Sequence, residues 1–249
     1  YVSTGERIPA EARVERSLEW MEHGIGALKI RFSAADWKDD LAVVEAVRAA
    51  VGDSMKIMVD ANQGWRMPWD QAPRWDFETA SACAAALSDL DVYWLEEPLD
   101  TDSIEEYRRL RDGSAIRIAA GEMVRSLADT ERMLEAGAVD VIQNDVVLAG
   151  GVTGATRIAS WAAQWGAEWS PHTWTTGYGM LANLHVALAH STSDFIEVPY
   201  DPPAWAPQRR DYMLGATIEI APDGTVSPPE GPGLGVVPDF EALERWRVG

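Results

Sequence analysis

Three stretches decide how this chain folds: Lys56-Ile57-Met58-Val59-Asp60-Ala61-Asn62, Val92-Tyr93-Trp94-Leu95-Glu96-Glu97-Pro98 and Ile116-Arg117-Ile118-Ala119-Ala120-Gly121-Glu122. Each is a short apolar run closed by an acidic residue and followed by a helical-looking segment. If the runs are neighbouring parallel strands, Asp60, Glu96 and Glu122 converge at one rim of one sheet. Carboxylate oxygens alone, with no Cys or His among them, suit a hard cation such as Mg²⁺. Three unrelated helix caps or loop acids are the alternative. The same placement three times running argues against it.

Outward from these runs the chain alternates strand and helix. Further strands are expected at Tyr1–Ser3, Ala27–Phe32, Val139–Asn144, Glu168–Pro171 and Phe195–Val198. Pro9 fits a first helical turn and Gly24 a stop. Ser33 suits the cap of a helix whose apolar positions Leu41, Val44, Val47 and Val51 fall at helical spacing, ended by Gly52. Ser126 with Asp129 opens another helix and Gly137 closes it. A repeat of about 25–35 residues implies βαβ crossovers and a parallel sheet. About eight strands in 249 residues indicate an α/β protein of the TIM type, a (β/α)7β barrel. No glycine-rich phosphate loop follows the first strand, so a Rossmann fold has little support. Gly150-Gly151 reads as a tight turn.

Two regions leave the repeat. Gly64–Trp75, with Trp65, Trp69 and Trp75, is a long loop after the strand carrying Asp60. It suits a substrate lid or a packing surface for another domain or subunit. After Tyr200 comes a Pro/Gly-rich region with a hairpin at Thr217–Ile220, which looks built to lie on something else. The expected division is a barrel at 1–205 and a returning hairpin and tail at 206–249.

Composition removes whole classes of function. A formal charge of −19 argues against nucleic acid or an anionic membrane as partner. No stretch approaches the roughly 18 apolar residues of a membrane span. The opening Tyr-Val-Ser-Thr-Gly-Glu has no signal-peptide character, so the expected compartment is cytoplasmic. The single Cys83, in Ser-Ala-Cys-Ala-Ala-Ala-Leu, reads as a buried core thiol.

Active sites of parallel barrels lie at the carboxyl ends of the strands. Strand alternation points Lys29 and Arg31 the same way. Next along the rim come Asp60, Glu96 and Glu122, then Gln143-Asn144-Asp145, Ser-Pro-His172 and Ile-Glu197. Asp145 and His172 fall on adjacent strands, where the carboxylate is placed to orient the ring. Asn62 and Trp174 lie on the same rim and are expected to contact substrate. Glu97 would face the other way if the strand stays extended. His23, His185 and His190 lie in helical stretches.

Taken together, Lys-x-Arg, Asp-Ala-Asn, Glu-Glu-Pro, Gly-Glu, Gln-x-Asp with Gly-Gly-Val-Thr, Pro-His and Ile-Glu resemble the enolase superfamily, mandelate racemase subgroup. The resemblance implies that Asp60, Glu96 and Glu122 are Mg²⁺ ligands and that His172 and Asp145 form the family's dyad. It also implies that Glu197 hydrogen-bonds a substrate carboxylate and that Lys29 is the first lysine of the Lys-x-Lys motif. Two features depart from it. Members carry an N-terminal α+β capping domain, and this sequence starts at the barrel. Arg31 stands where racemases have a lysine base.

The implied chemistry is removal of a proton α to a carboxylate, with Mg²⁺, Lys29 and a protonated Glu197 stabilising the enediolate charge. Arginine, with a pKa above about 12, is a poor proton shuttle. One competent base, His172, suits dehydration of an acid sugar to a 2-keto-3-deoxy acid. A racemase, epimerase or cycloisomerase acting on a hydroxy or sugar acid is the alternative, and a non-catalytic metal-binding barrel a second. The expected partners are a small-molecule carboxylate and further copies of the chain, as a homo-oligomer.

Overall fold

A computed structural model of the chain describes all residues except 68–72, 191, 246, 248 and 249. Trp69 of the expected lid lies outside the described residues. Eight parallel strands alternate with helices: β1 (Val2–Ser3), α1 (Ala10–Glu22), β2 (Ala27–Arg31), α2 (Trp37–Val51), β3 (Lys56–Asp60), α3 (Phe77–Ser88), β4 (Trp94–Glu96), α4 (Ile104–Gly113) and β5 (Arg117–Ala120). They continue as α5 (Leu127–Glu135), β6 (Val141–Ile142), α6 (Gly151–Trp165), β7 (Glu168–Trp169), α7 (Gly177–His190), β8 (Val198–Pro199), α8 (Pro207–Arg210) and α9 (Phe240–Arg245). The order is β7-β6-β5-β4-β3-β2-β1-β8, so the first strand sits between the second and the last. This is the (β/α)7β barrel expected from the repeat.

No ladder joins β7 to β8 among the described residues. Side chains close that seam instead. Thr173 N–H donates to Glu197 Oε2 at 2.6 Å, and Thr173 Oγ1 donates to the Glu197 carbonyl at 2.8 Å.

Alternation sorts the strand residues into storeys. Tyr1, Ala27, Met58, Trp94, Ala119 and Val141 form an apolar plug inside the barrel. Two residues further along the same strands stand Ser3, Lys29, Asp60, Glu96, Gly121 and Gln143. The period of two therefore lifts the polar set directly above the plug. The outward residues, among them Leu28, Ile57, Val59, Leu95, Ile118 and Ile142, join the larger core under the helices.

Several local expectations change. The later strands are shorter than their apolar runs. Asp36, not Ser33, caps α2, its side chain accepting from Lys38 N–H at 3.1 Å. The buried Asp40 carboxylate takes the Ser33 and Ala34 N–H groups instead, both at 2.6 Å. Ser126 does cap α5, and Gly137 follows it at φ 62°. Thr217–Ile220 forms no strand. Much of this region lies on the barrel itself: Leu214 and Ile218 are buried with Met180, Leu181, Leu184 and Val198. Val237 and Phe240 remain exposed. No helix among the described residues is long and apolar enough to cross a membrane.

Candidate metal centre and acid–base pair

Asp60, Glu96 and Glu122 each offer one carboxylate oxygen to a cluster whose atoms lie within 4.8 Å of one another, and all three residues are buried. Asp60 and Glu96 end neighbouring strands in register, and alternation turns both inward. Glu122 needs a further device, because it stands three residues beyond the inward Ala119. Gly121 supplies it. Its φ of 109° breaks the alternation, and a Cβ there would meet Ile142 Cδ1 at 2.7 Å. The Gly-Glu pair is thus a turn that redirects a carboxylate into the site.

Lys29, buried between Glu96 and Glu197, places Nζ 2.5 Å from Glu96 Oε1 and 2.8 Å from Glu197 Oε1. Burial alone would lower its pKa, but Glu197 and Glu96 outweigh that and hold it well above the usual range. Glu96 also accepts from Gln143 Nε2 at 2.7 Å and Trp94 Nε1 at 3.2 Å. Burial still pushes the Glu96 carboxyl up to about 8, and it raises Asp60 in the same direction. One lysine does not neutralise three converging carboxylates. The all-oxygen donor set, its closeness and its excess negative charge fit a hard divalent cation.

Glu197 is fully buried. Burial favours its neutral form, yet Lys29 and His172 hold it down at about 2. The Lys29 ammonium at 2.8 Å favours the charged form of Glu197 in the metal-free protein, whereas the chemistry expected above uses it protonated.

His172 sits after β7 with Nδ1 3.5 Å from Asp145 Oδ2 and Nε2 3.4 Å from Glu122 Oε2. Its pKa stands at about 9, because Asp145 and Glu122 outweigh the lowering by burial. The other Asp145 oxygen is occupied by Val147 N–H at 2.8 Å and Asn183 Nδ2 at 3.0 Å. That leaves Oδ2 to face the ring. Asn183, fully buried on α7, also accepts from Val146 N–H at 2.9 Å and donates to the His172 carbonyl at 3.2 Å. Sequence reasoning missed it; a lone amide in the apolar run Met-Leu-Ala-Asn-Leu was the available signal.

The other sequence candidates lie on the rim. Arg31 is exposed there, and its charge lowers the pKa of Asp60. Asn62, at φ 51°, donates its N–H to Asp60 Oδ1 at 2.9 Å. Trp174 donates Nε1 to Ser3 Oγ at 2.7 Å and stacks on Trp205 at 5.2 Å. Glu97 does not stay extended: its φ is 45°, and its carboxylate lies buried beneath Gly64, where a Cβ would come within 2.3 Å of it. Trp65, not singled out for chemistry, donates Nε1 to Glu122 Oε1 at 2.5 Å. Arg31, Asn62, Trp65, Arg66 and Trp75 line a cleft opening beside the triad. Cys83 is a buried thiol pushed up to about 12 by burial.

A family model described as Enolase C-terminal domain-like matches residues 12–243. The D-galactarolactone cycloisomerase of Agrobacterium fabrum is 32% identical over 230 residues, covering 90% of this chain and 57% of that protein. The L-talarate/galactarate dehydratase of Salmonella typhimurium is 32% identical over 176 residues, covering 71% and 40%. The chain thus spans about half the length of these relatives. A racemase from Streptomyces coelicolor A3(2), solved with bound magnesium, superposes with a TM-score of 0.82 at 27% identity, over 99% of this chain and 62% of that one. With this match along nearly its whole length and the acidic triad on the expected strand ends, the chain belongs to the enolase superfamily, in its mandelate racemase branch.

Proposed function

We propose that this protein removes the proton α to the carboxylate of an acid sugar and eliminates the β-hydroxyl, giving a 2-keto-3-deoxy acid. The observation carrying this reading is that, of the basic side chains among the described residues of the rim, one is suited to shuttle a proton. Lys29 is locked between Glu96 and Glu197 at 2.5 and 2.8 Å and stays charged. Arg31 is a guanidinium and holds its proton. His172, oriented by Asp145, is left as the base: Asp145 and Glu122 hold its pKa at about 9 against burial, and a cation taken up by Glu122 would weaken that hold.

Asp60, Glu96 and Glu122 would hold Mg²⁺. Bound there, the ion would bring positive charge to the substrate carboxylate as the α-proton leaves. Lys29 adds a fixed cation beside the same oxygens, in a buried setting where it needs no reorganisation. His172 takes the α-proton at Nε2 and returns a proton to the departing hydroxyl. Water leaves, and the resulting enol tautomerises to the keto acid. Asn62 and Trp174 are read as contacts for the substrate's remaining hydroxyls. The segment 206–249 is read as a hairpin and tail that return to a capping region, and the assembly as a homo-oligomer in the cytoplasm.

A one-base cycloisomerisation is the second reading. It is supported by the 32% identity over 230 residues to a cycloisomerase. Incubation of the full-length protein with Mg²⁺ in D₂O against aldonic acids, aldaric acids and their lactones separates the two. Keto acid from an open-chain acid supports dehydration, and ring opening of a lactone supports cycloisomerisation. His172→Asn abolishes either; turnover at the wild-type rate in that variant would overturn the assignment.

A further inference from the structure

The loop after β3 reaches across the site in a way the proposed chemistry does not use. It leaves Asp60, passes over Glu96 and Glu97, and delivers Trp65 to Glu122, two strands away. Its course is fixed at each step. Ala61 N–H donates to the Glu96 carbonyl and Gln63 N–H to the Glu97 carbonyl, both at 2.8 Å. The Gly64 carbonyl accepts from Thr101 N–H at 3.0 Å and Thr101 Oγ1 at 2.9 Å. Gly64 itself rests on the Glu97 carboxylate so closely that no side chain fits.

The next residue is Trp65, half-buried, with its indole N–H 2.5 Å from Glu122 Oε1. The other Glu122 oxygen lies 3.4 Å from His172 Nε2. The loop therefore holds one oxygen of this carboxylate, and the other faces the base. A carboxylate crowded by two others tends to swing away from them. A fixed donor on Oε1 opposes that swing and withdraws charge from the oxygen.

We infer that Trp65 is a positioning residue for Glu122, its indole N–H presetting the carboxylate for a divalent cation and linking the loop from Gly64 to metal occupancy. The inference rests on the metal reading above. Partners that orient ligands in this way are worth about 10–100-fold in metal affinity.

The test is Mg²⁺ titration of the full-length protein by calorimetry, comparing wild type with Trp65→Phe, which keeps an aromatic ring and removes the N–H. Affinity is expected to fall about 10–100-fold, with the melting temperature of the EDTA-treated protein unchanged. The wild type should also show a near-ultraviolet difference spectrum on adding Mg²⁺ that Trp65→Phe lacks. Trp75→Phe serves as the loop control, since the Trp75 ring packs on Trp37 at 6.5 Å; it should bind Mg²⁺ as the wild type does. Equal affinity in wild type and Trp65→Phe would overturn the inference and leave the metal site standing. Equal losses in both loop variants would also overturn it, assigning the effect to loop packing. A wild type that binds no Mg²⁺ would overturn the metal reading and this inference together.

Discussion

Removing and restoring Mg²⁺ at two pH values tests the metal centre most directly. Without metal, Glu96 titrates at about 8, because burial outweighs Lys29. At pH 9 the carboxyl is mostly ionised and ready to bind. At pH 6, two units below, only about one site in a hundred is ionised, so the proton weakens apparent Mg²⁺ affinity roughly a hundredfold. With Mg²⁺ at 100 times the dissociation constant of the ionised site, stabilisation is about 2.7 kcal/mol at pH 9 and about 0.4 kcal/mol at pH 6. At about 2–4 °C per kcal/mol for a chain of this size, Mg²⁺ raises the melting temperature by about 5–11 °C at pH 9 and by about 1–2 °C at pH 6.

The metal-free baseline moves in the opposite sense. Glu96 is raised from 4.5 to about 8, so its contribution to stability is full below about 4.5 and lost as pH rises through 8. His172, raised from 6.5 to about 9, loses its contribution as pH rises through 9. Glu197, depressed to about 2, changes only below about 4.5, outside the range. The EDTA-treated protein should therefore melt lower at pH 9 than at pH 6. Differential scanning fluorimetry with and without Mg²⁺ reads both trends. An increment that is equal at the two pH values, or larger at pH 6, would refute the placement of the cation among these carboxylates.

Other expectations concern single side chains. Gly121→Ala puts a methyl 2.7 Å from Ile142 Cδ1 at a φ of 109°; urea denaturation should show a loss of about 1–3 kcal/mol, and calorimetry a weaker Mg²⁺ site. Asn183→Leu strips partners from Asp145 Oδ1 and Val146 N–H; kcat should fall about tenfold or more with KM little changed, alongside a stability loss of about 1–3 kcal/mol. Unchanged kcat would show that Asn183 serves packing alone. Met58→Ala removes a fully buried side chain from the barrel plug. It should cost about 2–5 kcal/mol in urea unfolding and leave Mg²⁺ affinity at the wild-type value.

Much of the fold was legible because parallel strands in this class are buried on both faces and read as short apolar runs. The eight runs correspond to the eight strands, and Lys29, Asp60, Glu96, Glu122 and Asp145 stand on or just beyond strand ends, where strand order brings them together. What alternation cannot supply went unread. Glu97 departs from it because its backbone turns left-handed after Glu96. Trp65 reaches Glu122 through a loop with no period, held by contacts to β4 that exist only after folding. Ser33 looked like a cap because local sequence does not show that Asp40, seven residues further on, claims its N–H. Asn183 lies well over thirty residues from the carboxylate it holds, and only the packing of α7 brings the two together.

The two-residue offset along the strands divides labour between storeys. Tyr1, Met58, Trp94 and Val141 close the barrel below, while Lys29, Asp60, Glu96 and Gln143 line the rim above. A substitution in the upper storey can rewrite which proton moves, or which anion is welcomed, while the plug beneath keeps its shape. Such a scaffold lets new reactions be tried without first being refolded, and neighbours built on one barrel can diverge in chemistry long before they diverge in form.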